Sequence, residues 1–170
     1  NRGGSNSGKS YSQQQWELLR ILHPDCEGNT LHTRKYAATL KDSVYEVYKQ
    51  IAKSFGIYDL FEWRFSQTRE ITSKTSNKRI ILKGLDDTEK IKSVAGIKRV
   101  ILEEANEFDK ADFLELDRRA RGFKDIQIVL IFNPVDEEHW LKSHFYDTPE
   151  VAAKTDFFLN FNAGLLRGMG

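Results

Sequence analysis

Gly3-Gly4-Ser5-Asn6-Ser7-Gly8-Lys9-Ser10 runs directly into Tyr11-Ser12-Gln13-Gln14-Gln15-Trp16-Glu17-Leu18-Leu19-Arg20-Ile21-Leu22, and His23-Pro24 closes the stretch. The first eight residues satisfy G-x-x-x-x-G-K-[ST], and the spacing after them predicts a helix over 10–22. Each fixed position has a physical task. Glycines let the backbone curl so that successive N–H groups face phosphate oxygens, and the helix N-terminus adds the positive end of its dipole. Lys9 would reach the β- and γ-phosphates, and the Ser10 hydroxyl would ligate Mg²⁺. Gly3, Gly4, Ser5, Asn6, Ser7, Gly8, Lys9 and Ser10 are therefore the nucleotide-binding candidates. A glycine-rich turn before an ordinary helix is the plainer reading, but Lys-Ser at the helix start disfavours it.

Outward from this loop, apolar runs alternate with amphipathic ones. Strands are expected at Leu31–Lys35, Phe61–Phe65, Arg99–Leu102 and Ile126–Phe132, with another at Thr155–Asn162. Helices are expected at Leu40–Phe55, Asp86–Ser93, Ala111–Ala120 and Glu137–Phe145. In the Leu40–Phe55 helix, Leu40, Val44, Val47, Tyr48 and Ile51 share one face. Glu70–Leu82 reads as two strands joined near Thr75-Ser76-Asn77, an antiparallel addition at one side. Strands separated by helices predict an α/β fold, a mainly parallel sheet with helices on both faces. A phosphate loop is expected to follow a buried strand, and only Asn1 and Arg2 precede Gly3. A sheet without that strand would carry a cleft in its core, so the true N-terminus is expected to lie outside this sequence.

The composition bounds the function classes. The 170 residues suit one domain, and the sequence has no 18-residue apolar run for a membrane span. Cys26 is the single cysteine, which excludes an intrachain disulfide and a cysteine-based zinc site and suits a reducing compartment. The net charge of +1 hides an asymmetry: residues 1–100 hold 18 Lys/Arg against 11 Asp/Glu, and residues 101–170 hold 8 against 14. Nucleic acid could meet the basic half, although solvated helix faces give the same pattern.

Arg99-Val100-Ile101-Leu102 leads into Glu103-Glu104. An apolar strand ending in two carboxylates beside a phosphate loop suits metal-assisted phosphoryl chemistry. Glu103 would hold Mg²⁺ through water, and Glu104 would orient and deprotonate the water that attacks the γ-phosphate. Two solvated glutamates capping the next helix are the alternative. Asn133, at the end of the Ile126–Phe132 strand, is a γ-phosphate sensor candidate, although an Asn-Pro turn would also explain it. Asn77-Lys78-Arg79-Ile80 lacks the final acid of a guanine-reading N-K-x-D stretch. His23, His32, His139 and His144 have no metal spacing and read as surface or packing residues. Trp16, Trp63 and Trp140 read as core rather than base-stacking groups.

With these residues in place, the chain resembles the ATPase domain of phage large terminase subunits, especially the PBSX-like group. The resemblance rests on five segments in the family's order over residues 1–146. They are Gly3–Ser12; Thr33-Arg34-Lys35 with Thr39–Tyr45; Ile80–Asp87 with Lys90–Ser93; Glu103–Phe108; and Phe132-Asn133-Pro134 with His139-Trp140-Leu141. It implies a P-loop NTPase of the additional-strand, RecA-like type over residues 1–170, using ATP and Mg²⁺ to drive double-stranded DNA into a procapsid. Glu103 and Glu104 take the metal-holding and catalytic places, and Asn133 falls in the family's coupling motif. Many terminases have aspartate where Glu103 stands, and an arginine inside the loop where Ser5, Asn6 and Ser7 stand. The resemblance also implies a homo-oligomeric ring, with Arg119, Arg121 or Lys92 as candidates to complete a neighbour's site in trans. The implied partners are the portal protein and the small terminase subunit, and the location is the host cytoplasm, docked transiently on the procapsid. The family's first strand, its upstream adenine-contacting segment and its nuclease domain are expected outside this sequence. A helicase-like P-loop motor and a nucleotide-binding assembly module without turnover are the competing readings.

Overall fold

The computed structural model describes residues 8–66, 68–85, 96–120, 126–133 and 138–153. The expected elements Asp86–Ser93 and Thr155–Asn162 lie outside them, as do Gly3–Ser7, Lys92 and Arg121. Six strands form one sheet: β1 (Asn29–Arg34), β2 (Phe61–Phe65), β3 (Arg69–Ser73), β4 (Arg79–Gly84), β5 (Ile97–Glu103) and β6 (Gln127–Ile131). Their order is β2-β3-β4-β1-β5-β6. The four strands β4, β1, β5 and β6 are parallel, while β2 and β3 join antiparallel at one side. The ladder is continuous through β1, so the described residues show no cleft inside the sheet.

Helices cover both faces. Adjacent strand residues point to opposite sides, and the core divides accordingly. Ile80 and Leu82 of β4 meet Leu18 and Ile21 of α1 (Lys9–Leu22) and Tyr48 and Ile51 of α2 (Glu46–Ser54). Ile81 joins Val100 and Leu102 of β5 against Phe113 and Leu116 of α3 (Lys110–Ala120) and Leu141 and Phe145 of α4 (Trp140–Phe145). A short α5 (Pro149–Ala152) follows. The buried face of α1 is Gln14, Glu17, Leu18 and Ile21, a helical stripe with two polar members. α1 ends at His23, whose extended backbone is the conformation favoured before Pro24.

Two expectations are refined. Glu70–Leu82 does contain two strands, turning through Asn77 at φ 58°. However, β4 belongs to the parallel core beside β1, and the antiparallel addition is β2 with β3. The Leu40–Phe55 helix opens as a π-helical turn over Lys41–Tyr45 before α2 begins. Leu40, Val44, Tyr48 and Ile51 are fully buried as the shared face predicts, while Val47 is half-buried beside the first turn of α1.

Candidate active site

The parallel strands end on one side of the sheet, where open α/β folds place their ligands. α1 begins there. Gly8 stands before it in the left-handed region, φ 74° and ψ 6°, and its carbonyl accepts the first helical bond from the Ser12 N–H at 2.8 Å. A Cβ on Gly8 would meet no atom within 4 Å, so glycine is required by the backbone angle rather than by space. This turn sets Lys9 and Ser10 in the first turn of α1, opposite the ends of β5 and β6.

Gly8, Lys9, Ser10, Glu103, Glu104 and Asn133 converge. Lys9 Nζ donates to Asn133 Oδ1 at 3.3 Å, across 124 residues of chain. The Ser10 hydroxyl donates to Glu103 Oε1. Glu104 turns away from the strand at φ 53° and ψ 54°. This conformation is uncommon for a residue other than glycine and clusters at functional sites. Had the strand run on, Glu103 and Glu104 would point to opposite faces of the sheet. The turn instead leaves Glu103 against Ser10 and brings Glu104 to the wall of a cleft of about 320 Å³. Gly8, Lys9, Ser10, Tyr11 and Gln14 form one wall of this cleft, Glu104 and Asn133 another, and Ser43 and Val47 a third.

Charges in the cleft are tuned by burial and by neighbours. Burial, outweighing the attraction of Glu104 and Glu103, lowers the Lys9 ammonium from its ordinary value. For Glu103, burial pushes the carboxyl upward, but hydrogen bonding and charge from His32, the Ser10 hydroxyl and the Arg34 guanidinium outweigh it. The net effect holds the carboxyl below the ordinary range. Glu103 is therefore a buried carboxylate kept ionised, 5% exposed. Ser10 and Glu103 offer hard oxygen donors side by side, the chemistry that suits Mg²⁺ with its remaining positions filled by water and phosphate. No group of three or more His, Cys, Asp or Glu able to hold a metal occurs among the described residues.

Two sequence expectations are corrected. His32 is more than a packing residue: it is fully buried, and its Nε2 lies 3.3 Å from Glu103 Oε2. Trp16 is not core but 48% exposed, its ring lying under the Arg99 guanidinium at 4.3 Å. The remaining tryptophans and histidines are packing or surface residues, as expected. Trp63 and Trp140 pack against the two halves of the core. His23 is exposed, and His139 caps α4 by accepting from the Leu141 N–H at 3.3 Å. His144 packs against Phe113 and Phe145. Of the trans-acting candidates, Arg119 lies on α3, and Lys92 and Arg121 fall outside the described residues.

Sequence reasoning missed His32, Tyr48 and Gln14. The available signal was polarity in a strand buried on both faces: β1 carries Thr30, His32 and Thr33 where apolar residues are expected. Gln14 is fully buried at the cleft wall, and neither amide atom has a hydrogen-bond partner among the described residues.

A family model described as phage terminase large subunit matches residues 1–161. The PBSX phage terminase large subunit of Bacillus subtilis (strain 168) is 27% identical over 153 residues, covering 85% of this chain. The chain spans 33% of the length of that curated relative. The large terminase of a thermophilic bacteriophage superposes with a TM-score of 0.69 at 18% identity, over 88% of this chain and 37% of that one. In complex with ADP, the same phage protein gives a TM-score of 0.63 at 20% identity, with the same coverage. The N-terminal domain of the DNA packaging ATPase from bacteriophage phi29 gives 0.66 at 17% identity, over 92% of this chain and 83% of that domain.

Proposed function

This chain belongs to the phage terminase large subunit family, and on that premise we propose that it is the family's ATP-hydrolysing motor domain, coupling hydrolysis to the translocation of double-stranded DNA. The observation that carries the proposal is one juxtaposition. Ser10 on Glu103 and Lys9 on Asn133 join the first turn of α1 to the ends of two neighbouring parallel strands, with Glu104 lining the cleft between them.

Phosphoryl transfer needs little from a protein beyond positioning and charge stabilisation. Lys9 draws the β- and γ-phosphates against the N-terminus of α1, giving up its bond to Asn133 for a full negative charge. Asn133 then faces the γ-phosphate, and the bond to Lys9 can re-form once that phosphate leaves. This exchange is the proposed coupling step. Glu104, placed on the cleft wall by its left-handed turn, aligns the attacking water and accepts its proton. Ser10 and Glu103 would hold Mg²⁺, which supplies charge neutralisation on the phosphoryl oxygens.

The wider setting belongs to the same proposal: a ring of copies completed by a basic residue in trans, docked on a portal and procapsid in the host cytoplasm and working with a small terminase subunit. No helix of the described residues is long and apolar enough to cross a membrane.

Phosphate release from Mg-ATP, with and without duplex DNA, tests the proposal. Turnover is expected, stimulated by duplex DNA and lost in Lys9→Ala together with nucleotide binding. Hydrolysis that survives Lys9→Ala would overturn the assignment of this cleft. Turnover indifferent to duplex DNA but coupled to strand separation would favour a helicase-like motor.

A further inference from the structure

Two side chains stand behind Glu103, away from the cleft. Residues in register in a parallel pair share a face, and His32 of β1 is in register with Ile101 of β5. Glu103 lies two positions beyond Ile101, on that same face one pleat further along. His32 Nε2 spans the step to Glu103 Oε2 at 3.3 Å. On its other side, His32 Nδ1 lies 2.9 Å from the Tyr48 hydroxyl, and the two rings meet edge to face at 89° with centroids 5.7 Å apart. His32 and Tyr48 are both fully buried. One arrangement satisfies every group: Nε2–H donates to the Glu103 carboxylate, and Nδ1 and the Tyr48 hydroxyl share the hydrogen bond on the other side of the ring.

This arrangement answers a mechanical need. A glutamate has three side-chain torsions, and the Ser10 hydroxyl restrains only Oε1. Without a second tether, Oε2 could swing about the terminal torsion, which is broad for a carboxylate. His32 fixes Oε2, and Tyr48 fixes the plane of His32. Neither His32 nor Tyr48 lines the cleft, so both of their contacts can persist when the cleft is filled.

We infer that His32, held by Tyr48, is a positioning residue that presents the Glu103 carboxylate to the divalent cation arriving with nucleotide. The inference rests on the proposed function, since it needs Ser10 and Glu103 to be the metal side of a nucleotide site. Outer partners of metal-holding groups typically contribute about 10- to 100-fold in metal affinity.

The test uses Mn²⁺ as a paramagnetic probe, titrated into the chain with ADP and read by electron paramagnetic resonance. ADP affinity in EDTA and the urea midpoint are measured alongside. His32→Ala should weaken Mn²⁺ binding by about 10-fold or more while changing metal-free ADP affinity by no more than about twofold. His32→Gln, which can return an N–H near Oε2, should recover most of that loss. Tyr48→Phe, which keeps the ring and removes only the hydroxyl, should weaken Mn²⁺ by about threefold. Unchanged Mn²⁺ affinity in folded His32→Ala, or an equal fall in metal-free ADP affinity, overturns the inference. If His32→Ala does not fold, Tyr48→Phe decides, and unchanged Mn²⁺ affinity there overturns it equally. A wild-type chain that binds no Mn²⁺ with ADP overturns the nucleotide-site assignment itself, and the positioning role with it.

Discussion

The seam between α1 and the β1–β5 pair holds a buried carboxylate at each end, and the two are built to opposite ends. Helix and strand run past each other, so Ser10 meets Glu103 at the top while Glu17 meets Arg99 at the bottom. At the bottom, Glu17 is fully buried, and its Oε1 accepts from Arg20 Nε at 2.8 Å and from the Thr30 hydroxyl. Its Oε2 lies 3.0 Å from Arg99 Nε, an ionic approach without the alignment of a linear hydrogen bond. Arg99 in turn covers Trp16 and donates to Gln127. At the top, Glu103 is held from behind by His32 and in front by Ser10, while Lys9 and Glu104 border open space. Opposite charges that close on one another form a scaffold. Charged groups that line open space leave room for a ligand, and the left-handed Glu104 stands at that end.

Breaking the bottom should cost stability and spare the chemistry. Glu17→Gln leaves Arg99 buried beside an uncharged amide, and a loss of about 3–5 kcal/mol is expected from urea denaturation. Nucleotide affinity of the folded fraction should hold. A loss of binding without a loss of stability would erase the contrast between the two ends. Gly8→Ala probes the hinge of the top end. With open space around a Cβ and φ at 74°, the expected loss is about 1–2 kcal/mol from backbone strain alone. A smaller and more revealing effect concerns pH. The Glu103 carboxyl is held below its ordinary 4.5 in the fold, so it contributes stability above that pH and loses it as pH falls through the lower, folded value. Wild type should therefore lose urea resistance below pH 4.5 more steeply than Glu103→Gln. Parallel profiles would mean that the tethers on Glu103 do not favour its charged form.

Local pattern made much of this visible. The helix after Gly8, the strand ending at Glu103 and the strand ending before Asn133 were each readable from a few consecutive residues. The loop motif itself named Lys9 and Ser10. What stayed hidden depends on how distant segments register. His32 and Glu103 are 71 residues apart, and nothing local to Leu31-His32-Thr33 says which strand lies alongside. The placement of β4 inside the parallel core was hidden for the same reason, because two-residue alternation identifies a strand but not its neighbour. A bend that lets both Glu103 and Glu104 reach the site is expected at a strand's end, but its left-handed form at a non-glycine residue leaves no mark in composition. Trp16 departs from the expectation that a large apolar residue is buried, because its ring serves as a cover for the Arg99 guanidinium.

The central claim is that the open end of the seam is a hydrolytic site whose base is Glu104. The most direct measurement is phosphate release from Mg-ATP by wild type and Glu104→Gln, with ATP affinity measured in the same preparations. The account predicts a fall in turnover of about 10²- to 10⁴-fold with ATP affinity retained. Equal turnover in the two proteins would contradict it.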